Sequence, residues 1–216
     1  MRNFITYEWF TIATIIGLFA IVAAKFINTL RFNDFLYVVG NSKYLKIYSK
    51  DQKFVDLFDS LLFINLTLSL SIFVCFAYST FVTPFEFELA SFLKIIIAVA
   101  AVVIIKTLVE RLIGSLFEID NLIDDYLFEK TTFVNYSGLV FLASNLFLLY
   151  TDISSKIIII STLVIVFIIN LIGFLTSFKN YQKLINPNFF YFLLYLCALE
   201  IGPYVLLYKV IREYNT

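Results

Sequence analysis

The chain has 216 residues, 61% of them hydrophobic and only 15% charged, with a mean hydropathy of +0.92, far above the range of soluble globular domains. Sixteen basic and sixteen acidic residues cancel, which excludes a nucleic-acid surface built on net positive charge. The absence of histidine removes the commonest general base, the usual haem ligand and most zinc sites.

A bilayer core about 30 Å thick is crossed by about 20 mostly apolar residues in a helix, since only an internally hydrogen-bonded backbone is stable there. Six segments qualify, so the expected fold is all-α: a polytopic membrane protein, one integral domain over 1–216, built as a bundle of about six transmembrane helices. The first runs from Trp9 to Leu30. It reads as a retained helix rather than a cleaved signal, because Arg2 is the only early positive charge and Glu8 stands close to it. A basic loop over 31–56 follows, long for a connection inside a bundle. In and after its "KYLKIYSK", Tyr44, Ile47 and Tyr48 fall on one helical face and Lys43, Lys46, Lys50 and Lys53 largely on another. Two readings stand side by side: a short interfacial helix meeting anionic headgroups, and a solvated loop that only sets topology.

The second segment spans Leu57 to Ser79, and Pro84 marks the loop before the third, Leu89 to Val109. Next comes an acidic segment over 110–132. Leu112, Leu116, Ile119, Ile123, Tyr126 and Leu127 recur there at spacings of three and four, opposite Glu118, Asp120, Asp124, Asp125 and Glu129. An anionic leaflet would repel that acidic face, so a protein surface is the better partner. The basic loop of the same chain comes first. A partner subunit meeting Leu116, Ile119, Ile123, Asp124 and Asp125 is the alternative. The fourth segment runs from Phe133 to Thr151, and the fifth, Ile157 to Phe178, carries no charge. Cys75 and Cys197 lie singly in apolar runs and read as packing residues, not as a metal pair or a disulfide.

The sixth segment, Phe189 to Val210, holds Glu200 near its middle, followed by Gly202 and Pro203, where the helix is expected to kink. A central charged residue costs about 2.5–3.5 kcal/mol on insertion scales, so Glu200 needs a partner or a proton. Lys94 is the candidate cation; Asn65, Ser144, Asn145 and Asn170 are candidate hydrogen-bonding partners. The leading reading of Glu200 is a hydrogen-bonded network joining helices, and the second is a proton or ion site. No catalytic residue, metal site or cofactor is expected.

Loop charge sets the orientation. The first, third and fifth loops hold ten Lys and Arg residues and the opposite side four, which places both termini outside, in the periplasm.

The ending "FFYFLLYLCALEIGPYVLLYK", with its Cys-x-x-Glu-Ile-x-Pro pattern, resembles an uncharacterised multi-pass inner-membrane family of the Bacteroidota, a domain of unknown function. "KYLKIYSK", "IGSLF" at 113–117 and "SGLVFLASNLFLLY" extend the resemblance over most of the chain. It implies a protein of a Gram-negative cell envelope and assigns no catalytic residue. The expected function is a non-catalytic subunit or assembly factor of an inner-membrane complex. The alternative is a small proton- or ion-coupled transporter using Glu200. Expected partners are the lipid bilayer and another inner-membrane protein, and no nucleic acid.

Overall fold

The computed structural model describes residues 8–49, 56–82, 89–116 and 120–181. Among these residues there are seven helices and no strand: α1 (Glu8–Ile27), α2 (Thr29–Leu36), α3 (Lys43–Tyr48), α4 (Leu57–Phe81), α5 (Leu89–Leu116), α6 (Asp120–Tyr150) and α7 (Ser155–Tyr181). Five of them are long and apolar enough to cross a membrane: α1, α4, α5, α6 and α7. The protein is thus an all-α, polytopic membrane protein. The expected sixth segment, with Glu200, Gly202 and Pro203, lies outside the described residues.

Two boundaries depart from the sequence reading. α6 begins at Asp120 rather than Phe133, so the acidic stretch and the fourth span form one 31-residue helix. No proline or glycine stands between Asp120 and Ser137 to stop it, and polar residues continue a helix as readily as apolar ones. The expected helix from Trp9 to Leu30 is instead divided at Asn28, whose φ of −149° and ψ of 89° leave the helical region. The Asn28 side-chain oxygen accepts from the Arg31 N–H at 3.0 Å and caps the start of α2.

Packing is centred on α4 and α6. The membrane-spanning windows of these two helices are 56% and 61% buried, against 6% for α5. α1 packs on α4, α7 on α6, and α5 lies along both central helices. The apolar core falls into two clusters. One gathers Phe10, Leu66, Phe73, Phe76, Phe141 and Ile159 toward the N-terminal end of α1 and the C-terminal end of α4. The other gathers Ala24, Phe35, Tyr44, Phe58, Leu62, Phe128 and Phe133 at the end where α2 and α3 sit. Between them on α4 and α6 lie Asn65 and residues 135–138, which form a polar layer inside the membrane.

Candidate functional site

Asn65 of α4 is fully buried where α1, α4 and α6 meet. Glycines on both neighbouring helices make room for it. A Cβ at Gly17 of α1 would lie 3.1 Å from the Asn65 side-chain oxygen, and one at Gly138 of α6 only 2.9 Å from Leu66 Cα and 3.2 Å from Asn65 Nδ2. Small residues let helix backbones approach this closely in a membrane. Ser69 Oγ donates to Asn65 Oδ1 at 3.3 Å, and Asn145 Nδ2 of α6 donates to the Ser69 carbonyl at 2.8 Å. Three amide atoms in this region have no hydrogen-bonding partner among the described residues: Asn65 Nδ2, Asn135 Oδ1 and Asn145 Oδ1. Leaving a buried polar atom unmet costs about 1–3 kcal/mol.

A second row of polar contacts joins α6 to α7. Ser177 Oγ donates to Glu129 Oε2 at 2.5 Å, Asn170 Nδ2 donates to Ser137 Oγ at 2.9 Å, and the hydroxyls of Thr162 and Ser144 stand 2.7 Å apart. The partners advance along α6 as they recede along α7, in one antiparallel register. Gly173 against Phe133 fits the same register. Successive contacts are seven or eight residues apart, roughly 11 Å at 1.5 Å per residue, far beyond the reach of a hydrogen bond. The row is therefore chemically suited to holding two helices in register and not to passing a proton from contact to contact.

Glu129 is the feature that periodicity misplaced. Expected on the outer acidic face, it is 4% exposed and inside the span of α6. Its neighbour Lys130 reaches back to Glu110 of α5 at 2.6 Å and lies 5.5 Å from the Tyr126 ring. The periodic pattern set Glu129 opposite the apolar stripe. What it lacked was the polar side chain, Ser177, that comes to meet Glu129 from α7.

At the same end of the bundle, Arg31 joins α2, α3 and α4. Its guanidinium donates to Asp56, to Asp59 at 2.8 Å and through Nε to the Tyr44 hydroxyl at 3.3 Å, and it lies 4.5 Å from the Phe58 ring centroid. Burial works against the charged form, but Tyr44 and Asp59 and the hydrogen bonds outweigh it, so the Arg31 pKa moves upward. Burial, reinforced by Asp59, also pushes the Tyr44 hydroxyl up. α3 is therefore not free to lie on a membrane surface along Tyr44: that ring is buried, stacked on Phe128 of α6 at 5.7 Å. The basic and acidic segments meet through these rings. The described ion pairs run within each segment, among them Lys43 with Asp34 at 3.0 Å and Arg111 with Asp124 at 3.4 Å.

The other expected site residues are distributed as follows. Asn65 and Asn145 come together through Ser69, whereas Asn170 serves the α6–α7 row. Lys94 is exposed on α5, and no described carboxylate lies within ion-pair distance of it. Ile123 is buried within the chain, Asp125 is half-buried, Leu116 ends α5, and Ile119 lies outside the described residues. Among the described residues no group of three or more Cys, Asp and Glu side chains is placed to hold a metal ion.

Residues 10–211 match the family described as "Domain of unknown function (DUF4271)". No curated protein and no solved structure matches the chain.

Proposed function

The chain belongs to the DUF4271 family, and from that premise we propose that it is a non-catalytic subunit or assembly factor of a membrane complex. The complex sits in the inner membrane of a Gram-negative cell of the Bacteroidota, with both chain termini in the periplasm. The observation that carries the reading is α5. Its span is 6% buried, and Lys94, five residues in from Leu89, is exposed on it. That is about 7 Å along the helix, a depth at which a lysine facing lipid must bend back toward the headgroups. A neighbouring membrane helix that offers a carboxylate or carbonyl would satisfy the ammonium where it stands. The partner is thus another integral membrane protein packed along α5. The end of the bundle that holds Lys25, Arg31, Lys43, Lys46, Arg111 and Lys179 faces the cytoplasm, in keeping with the excess of positive charge there.

Purification of the tagged protein in mild detergent, followed by mass spectrometry, tests this reading. A reproducible membrane partner that is lost from Lys94→Leu at normal abundance is the expected result. A lone monomer in both forms contradicts it.

The second reading, a proton- or ion-coupled transporter centred on Glu200, gains one observation: Glu129 is a carboxylate buried within a span. The 11 Å intervals between the α6–α7 contacts weigh against a relay that starts from it. Loss of substrate flux in Glu200→Gln, with folding and abundance intact, would favour this reading.

A further inference from the structure

We infer that the polar layer between α1, α4 and α6 holds ordered water within the membrane span, bound by Asn65, Asn135 and Asn145. This goes beyond membership of a complex and does not depend on it.

Asn135, Gly138, Leu142 and Asn145 follow one another on α6 at spacings of three, four and three, so they share one helical face. Gly138 on that face abuts Leu66 and Asn65, and Asn145 reaches the Ser69 carbonyl, which fixes the face toward α4. From the other side Gly17 of α1 closes on Asn65 and Leu142. The three asparagines are 0–1% exposed, and each keeps one amide atom without a partner among the described residues.

The chemistry of those atoms selects the ligand. Asn65 Nδ2 is a donor, while Asn135 Oδ1 and Asn145 Oδ1 are acceptors. Asn135 and Asn145 stand ten residues apart on α6, about 15 Å at 1.5 Å per residue, so no single ion meets both; separate water molecules, each a donor and an acceptor, serve every one of these atoms. Exchanging the two ends of the Asn65 amide turns its unmet donor into an unmet acceptor and leaves the number unchanged. Exchanging those of Asn145 would set its oxygen against the Ser69 carbonyl oxygen. Buried water habitually meets otherwise unpartnered polar atoms of this kind.

Hydroxyl-radical labelling by pulsed X-rays, applied to the full chain in lipid nanodiscs, tests this inference, because radicals born from bound water mark the side chains next to it. Leu66 and Leu142 adjoin the layer, and Leu45 of α3, 1% exposed, lies in the apolar cluster away from it. The expected result is labelling of Leu66 and Leu142 several-fold above Leu45, falling to the Leu45 level in Asn145→Leu and in Asn65→Leu. Equal labelling of the three leucines in the wild type would overturn the inference. So would labelling of Leu66 and Leu142 that persists in folded Asn145→Leu.

Discussion

Around Arg31, hydrogen bonding, ion pairing and ring contacts converge on one guanidinium, and each carboxylate does more than neutralise it. Asp56 caps α4 by accepting from the Phe58 N–H at 3.4 Å, and the same side chain pairs with Arg31. The arrangement ties the end of α1, through α2 and α3, to the start of α4. Tyr44 offers a way to measure it. Because burial raises the folded-state pKa of its hydroxyl above the ordinary value of 10.0, the unfolded tyrosine ionises first as pH rises. Its contribution is therefore complete below about pH 10 and is lost progressively above it. Tyr44→Phe should unfold more easily than wild type at pH 8, by about 1 kcal/mol for one hydrogen bond, and the gap should narrow above pH 10. Denaturant unfolding in detergent at a series of pH values checks this. A gap that widens with pH would show that the hydroxyl is not held neutral in the fold.

The α6–α7 pair shows how much of an element's behaviour is decided by where its small residues fall. A Cβ on Gly173 would lie 2.5 Å from Phe133 Cγ, and the ring is buried and cannot withdraw freely. Alanine is the better helix former by about 1 kcal/mol, but overpacking a close crossing costs about 1–3 kcal/mol, so the clash wins or at best breaks even. Gly173→Ala should lower the unfolding midpoint, and adding Phe133→Leu should restore part of it. Unfolding curves of the single and double variants decide, and additive losses would mean that the two positions are not opposed. Helices were the most legible feature of the sequence, because the apolar runs of α4, α5 and α7 leave little choice of structure. The start of α6 was not, since an acidic amphipathic stretch beside an apolar run reads as a separate segment unless a breaker's absence is given its weight. Among the site residues, Asn65, Asn145 and Asn170 stood out as polar positions in apolar runs. Glu129 did not, because its charge fitted the polar face and its partner Ser177 lies 48 positions along the chain.

For the whole molecule the division of labour is between a packed half and an open one. α1, α4, α6 and α7 share two apolar clusters, and α1, α4 and α6 the polar layer, while α5 reaches one cluster through Phe92 and leaves most of its span uncovered by the described chain. Exposed apolar surface is expected where lipid is the solvent. The exposed lysine within that span is not, and it singles out this face over the outward face of α7, which carries no charge between Ile157 and Phe178. That contrast was beyond the sequence, where Lys94 could be paired with Glu200 on depth alone. The most direct test places a photo-crosslinking amino acid at Ile97, 67% exposed and one turn from Lys94, and irradiates living cells. The expected product is a discrete adduct with a second membrane protein, identified by mass spectrometry and absent when the crosslinker sits at the buried Ile159. Adducts confined to lipid or to residues 182–216 of the same chain would contradict the assignment of α5 as the partner-binding helix.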